Sequence, residues 1–135
     1  MFEKDYLMRL FTDFMNALNE ILNSINKKDI DGAKEQINYN YQILGNDSTY
    51  FSKTNINDII SYFKKKEGDY LKRIQMLAEL MYCDYLVQND KEVKRTILKK
   101  SIQLLEFYSQ NTKEYSFDII NKLNNLKNEF SAFNY

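Results

Sequence analysis

From Asp5 to Ile25 the apolar side chains Leu7, Phe11, Phe14, Leu18, Ile21 and Ile25 recur at alternating steps of four and three, which lines one face of a helix. Leu10, Met15 and Leu22 widen that strip. The pattern predicts a long first helix ending near Asn26-Lys27-Lys28, with Asp5, Arg9 and Asp13 spaced as a charge ladder along its side. Asp29 and Asp31 supply N-cap chemistry for a second helix. Along it Ala33, Ile37, Tyr41 and Leu44 fall at helical spacing up to Gly45, a residue suited to a left-handed C-terminal cap. The short link between the two helices predicts an antiparallel hairpin over residues 4–45.

Asn46-Asp47-Ser48-Thr49 is a loop signal, and Tyr50-Phe51 is expected to form one short helical turn. Thr54 or Asn55 caps a further helix through Ile56, Ile59, Ile60 and Phe63 that closes at Lys66-Glu67-Gly68, completing a middle segment over residues 48–67. From Asp69 to Gln88 the chain is apolar on most sides, through Leu71, Ile74, Met76, Leu77, Leu80, Met81, Leu86 and Val87, so this helix is expected at the centre. Asn89-Asp90 breaks it, and Val93, Ile97, Leu98, Ser101, Leu104, Leu105 and Tyr108 draw the inward face of the next helix, giving a second hairpin over 69–111. Ser116 caps a final helix over 116–133, where Ile119, Leu123, Leu126, Phe130 and Phe133 form a narrow seam. That seam fits either a helix that caps the bundle or a self-association surface. The whole reads as one all-α domain over 1–135, with about six helices in antiparallel hairpins.

Composition agrees with this pattern. The chain has no proline and only Gly32, Gly45 and Gly68, which favours continuous helix. At 135 residues one core without staples is feasible. Lys+Arg 19 cancels Asp+Glu 19, which argues against a dedicated nucleic-acid binder. The one dense basic run, Lys64-Lys65-Lys66, reads as the solvated end of a helix. With Cys83 alone, neither an internal disulfide nor a cysteine metal site is possible, which fits a reducing compartment. The opening Met1-Phe2-Glu3-Lys4-Asp5 lacks the basic flank and apolar segment of a signal peptide, and no run approaches the ~20 apolar residues of a membrane span. The expectation is a cytoplasmic protein with no membrane or nucleic-acid partner.

Lys28-Asp29-Ile30-Asp31-Gly32-Ala33, followed by Ile37, resembles the half-motif of a tetratricopeptide unit; Gln88-Asn89-Asp90-Lys91-Glu92 mimics its turn again, with Lys94 near the expected alanine. Together with the opening Phe2-Glu3-Lys4-Asp5-Tyr6-Leu7-Met8-Arg9 and the Leu44-Gly45-Asn46-Asp47 step, these segments resemble a family of small uncharacterised bacterial proteins with a tetratricopeptide-like fold. The resemblance implies a right-handed array or bundle of helical hairpins and no particular activity. The regular repeat period of a solenoid is missing.

Without histidine, the Ser-His-Asp, Cys-His and two-His zinc arrangements are excluded. Asp29-Ile30-Asp31-Gly32 only briefly mimics a calcium loop, and a capping turn explains it. No catalytic, cofactor-binding or metal-binding residues are expected, and the chain is read as not an enzyme. Asp84, between Cys83 and Tyr85, is the best remaining candidate for carboxylate chemistry. The blander reading puts it on an exposed stripe with Asp69, Arg73 and Gln88, and makes Cys83 a small buried hydrophobe.

Eleven tyrosines suit an interface. Tyr39 and Tyr41, two apart on one helix, cannot face the same way, whereas Tyr82 and Tyr85 are neighbours. Tyr6, Arg9, Tyr39, Tyr41, Tyr82 and Tyr85 are therefore the candidate partner-binding residues of a helical interaction module. Its expected partner is a protein or peptide in a groove between hairpins, or a second copy through Ile119, Leu123, Leu126, Phe130 and Phe133. The alternative is a small-ligand sensor or enzyme, in which an enclosed cavity brings Asp84, Glu79 or Asp13 to a tyrosine or Arg9.

Overall fold

The computed structural model describes residues 2–134, and among them the chain is all-α. In order it forms α1 (Phe2–Asn26), α2 (Ile30–Ile43), α3 (Ser48–Lys53), α4 (Ile56–Lys64), α5 (Tyr70–Val87), α6 (Lys91–Asn111) and α7 (Phe117–Ser131), followed by a 3-10 turn at Ala132–Asn134. There are seven α-helices where the periodicity suggested about six. The turn expected at Tyr50-Phe51 is a helix in its own right, because it is closed at both ends. The Asp47 carboxylate accepts from the Tyr50 amide at 2.8 Å, and the Thr54 hydroxyl donates to the Tyr50 carbonyl at 2.6 Å. Lys100 on α6 donates to the carbonyls of Phe51, Ser52 and Thr54 at 3.1, 2.6 and 2.6 Å, supplying partners that the end of so short a helix lacks.

Side-chain caps start six of the helices; Asp29 and Ser116 are caps as expected, that of α4 is Asn55 rather than Thr54, and Asp47 and Asp90, expected only as loop and breaker, are caps as well. Asp29, Asp47, Asn55, Asp69, Asp90 and Ser116 accept from amides in the first turns of α2 to α7. The α1–α2 link closes as a Schellman motif, with Lys28 N–H on the Ile25 carbonyl and Asp29 N–H on that of Ser24. Lys28 occupies the left-handed position of that motif, at φ 65°. Gly45 occupies the equivalent place after α2 at φ 108°, where a Cβ would run into the Tyr62 hydroxyl.

Helix α5 sits at the centre, packed against α1, α2, α4 and α6, and joined to α7 through side chains. Nearly all of it from Arg73 to Val87 is buried, as its apolar pattern requires. Helices α1 with α2 and α5 with α6 pair as the two expected hairpins, and α7 lies against α6. The α5–α6 approach is closest in chemistry at Ser101, a fully buried hydroxyl that donates to the Ala78 carbonyl at 2.7 Å. Lys94, which stands where a tetratricopeptide unit would carry alanine, donates to the Tyr85 and Gln88 carbonyls and closes the end of α5.

Three expectations are corrected. The seam residues Leu123 and Leu126 are buried, and Ile119, Phe130 and Phe133 pack on the same core, so the surface considered for self-association is used within the chain. Val93 is exposed, and the inward face of α6 begins a turn later, at Ile97. Asp5, Arg9 and Asp13 are exposed and form no ion pair among the described residues, because solvent competes with a pairing that has little to fix it.

The two left-handed positions predict opposite responses. Gly45→Ala should destabilise the fold by about 1–3 kcal/mol, through backbone strain and the clash with Tyr62. Lys28→Gly should stabilise it by up to about 1 kcal/mol by removing the left-handed penalty of a side chain. Urea midpoints of the two variants, displaced to opposite sides of the parent, are the expected result.

Candidate functional site

The apolar strip of α1 is wider than α2 and α5 together can cover. Its outer edge, Leu10 with Ala17 and the rim of Phe14, faces the exposed side of α2, where Tyr39 and Ile43 stand. Two depressions result, of about 540 and 930 Å³, and they share Leu10, Tyr39 and Ile43, so they are halves of one open groove along the α1–α2 crevice. Tyr39 is 68% exposed and Tyr6 63%, large aromatic surfaces at its edge.

The halves differ in charge. One is lined by the carboxylates of Asp13, Glu20 and Glu35, and by Asn40 and Gln36, whose side-chain oxygens are buried without a donor. Asn40 is only 3% exposed, and its amide group is held by donation to the Gln36 carbonyl at 2.8 Å. The other half is lined by Lys65, Lys66 and Arg73, with Glu67 as its one acid. Lys65 caps α4 and Lys66 lies 4.8 Å from the Tyr62 ring centroid, so the basic run is a helix end as expected and also one wall of the groove. Arg73 is 8% exposed; its Nη2 donates to the Glu67 carbonyl at 3.2 Å, while its Nε has no acceptor. Among the described residues ion pairs join Lys72 to Glu114, Glu79 to Lys122 and Glu106 to Lys127, and Arg73 is in none of them.

Of the six candidate partner-binding residues, the structure brings Tyr6 and Tyr39 together on this groove. Arg9 is exposed beside it and does not line it. Tyr41 is fully buried behind it, donating to Asp84 Oδ2 at 2.7 Å and stacked on Phe51 with ring centroids 6.0 Å apart. Tyr82 and Tyr85 lie with their rings 5.8 Å apart in the α5–α7 seam, where the Tyr82 hydroxyl donates to Glu129 and the Tyr85 ring meets Phe133.

The exposed stripe expected on α5 does not exist. Asp84 is 6% exposed, with one oxygen on Tyr41 and the other accepting from Gln88 Nε2 at 2.8 Å; of the four residues assigned to the stripe only Asp69 is exposed. Helices on most sides of α5 leave little solvent for such a stripe, so Asp84 and Glu79 find protein partners, while Arg73 Nε and Gln75 Oε1 are left without one. Of the acids named in the alternative reading, Asp84 does meet a tyrosine, Tyr41, through a buried hydrogen bond, whereas Glu79 pairs with Lys122 and Asp13 lines the open groove. No group of three or more His, Cys, Asp or Glu side chains placed to hold a metal occurs among the described residues.

Burial, reinforced by the charge of Asp84 and the hydrogen bond to it, holds the Tyr41 phenol well above its ordinary value near 10. Burial and Glu129 push Tyr82 up to about 12. The Cys83 thiol is also pushed up to about 12, chiefly by burial, with Lys122 opposing. No helix of the described residues is long and apolar enough to cross a membrane. No protein-family profile, curated protein or solved structure matches this chain, so the functional reading rests on the site itself.

Two measurements check these buried groups. A phenol whose folded value is raised contributes stability that is complete below its unfolded value, near 10, and is lost as pH rises towards the folded one. Stability should therefore fall above pH ~10. Tyr41→Phe should cost about 1–3 kcal/mol at neutral pH, by depriving the buried Asp84 of a donor, and should make the alkaline decline shallower. Cys83 should resist iodoacetamide at pH ~8 in the native chain and react only in denaturant, because the nucleophile is the thiolate.

Proposed function

We propose that the chain is a non-enzymatic, cytoplasmic interaction module, tetratricopeptide-like in its two hairpins, that seats an amphipathic helix of a partner protein along the α1–α2 groove. The observation that carries this reading is the groove's make-up: an apolar floor of Leu10, Phe14 and Ile43, exposed tyrosines at its edge, and opposite charges at its two ends. A crevice between antiparallel helices accepts a third helix whose apolar residues repeat every three or four positions. Tyr6 to Glu20 spans about 20 Å at the rise of an α-helix, which asks for an occupant of about 14 residues. Charge complementarity sets its direction, with acidic residues toward Lys65, Lys66 and Arg73, and basic ones toward Asp13, Glu20 and Glu35.

The test is selection of a displayed library of amphipathic helical peptides against the full chain. The expected result is enrichment of sequences with an apolar stripe, acidic at one end and basic at the other, whose affinity falls at least about tenfold on Leu10→Asp or Ile43→Asp. Circular dichroism confirms that each variant is folded. Enriched peptides indifferent to both substitutions, or no enrichment over an unfolded control, would overturn the proposal. A dimer in light scattering that the same substitutions dissolve would replace the partner helix by a second copy.

A further inference from the structure

We propose that the α5 end of the groove is an oxyanion site built on Arg73, which takes a carboxylate or phosphate group. The carrier of that group, a side chain of the seated segment, rests on the reading above; the site itself does not.

Helix α5 carries three buried charged residues, Arg73, Glu79 and Asp84, and two have partners: Glu79 has Lys122, and Asp84 has Tyr41 and Gln88. Arg73 differs from both. A guanidinium presents five N–H donors, and here one long bond to the Glu67 carbonyl accompanies a buried Nε with no acceptor. A charge removed from water with so little compensation is destabilising unless an opposite charge completes it.

The rest of the wall fits an anion. Lys65 and Lys66 add two ammonium groups, and neither is in an ion pair among the described residues. Tyr6 and Tyr39 add exposed hydroxyls that can donate. The one opposing group, the Glu67 carboxylate, belongs to an exposed residue in the turn before α5 and is free to point to solvent. The fork of a guanidinium matches both carboxylate and phosphate in a two-bond geometry, which a lysine does not. Orphaned acceptors in the other half, on Asn40 and Gln36, give the groove the reverse preference there.

The experiment is a titration of the full, isotope-labelled chain with inorganic phosphate and separately with acetate. It is carried out at constant ionic strength against chloride, following the Arg73 Nε–Hε signal and the amides of residues 65–67 by NMR. A saturable shift absent with chloride is expected. Arg73→Gln should abolish it, and Arg73→Lys, which keeps the charge and loses the fork, should weaken it about tenfold. The Arg73→Gln chain should be no less resistant to urea than the parent without ligand, and phosphate should raise the midpoint of the parent alone.

Saturation by phosphate but not acetate points to a phosphorylated residue or free phosphate as the source. Saturation by acetate as well points to an acidic side chain. Ala17→Glu, in the acidic half of the groove and away from Arg73, should leave the anion response intact while removing helical peptides, so the two proposals fail separately. A response no greater than that to chloride, or one unchanged in Arg73→Gln, would overturn the site.

Discussion

A helix surrounded by other helices cannot leave a polar side chain to solvent, and this constraint on α5 organises the rest of the molecule. Each polar group it carries must be answered by a neighbour or remain unsatisfied at a cost comparable to a lost hydrogen bond or more. Asp84 is answered from α2 by Tyr41 and Glu79 from α7 by Lys122, so the two ends of the chain are tied to its centre by contacts that also fix their register. Ser101 on α6 answers a carbonyl of α5 in the same way. Arg73 Nε and Gln75 Oε1 are left unanswered, and Arg73 lines the groove.

The fold was legible because local signals agreed with one another. Each of the six capping side chains is an Asp, Asn or Ser next to an apolar period, and Gly45 marks the end of α2 as its φ requires. What escaped is what depends on distant residues. Lys100, nearly fifty positions away, holds three carbonyls at the end of α3, and no local pattern announces that contact. Lys28 in a left-handed conformation is another such case, since the Schellman bonds hold it there against its own preference.

The site was legible only in part. Tyr39 and Tyr41, two apart on one helix, cannot face the same way; Tyr39 is the exposed one, while Tyr41 is buried by α5 and used by Asp84, and Tyr6 is exposed as well. Leu10 was visible as excess width in the α1 strip, a sign that more apolar surface exists than the neighbouring helices cover. Arg73 was misplaced because polar residues on an apolar helix normally mark its wet side, and α5 has hardly any. Lys65 and Lys66 were read correctly as a helix end. Their second role depends on the chain folding that end back beside Tyr6 and Leu7, which the sequence does not display.

Lys100 has a consequence for how the chain matures. The carbonyls it holds belong to residues made 46 to 49 positions earlier, so during synthesis this support of α3 must wait for the first half of α6 to emerge. Six residues are too few to persist as an isolated helix. The stretch from Ser48 to Lys53 is thus a latch thrown late, and its shape reports whether the second hairpin has arrived. Slowly exchanging amides in α3 of a nascent chain halted ahead of α6 would refute that order of events.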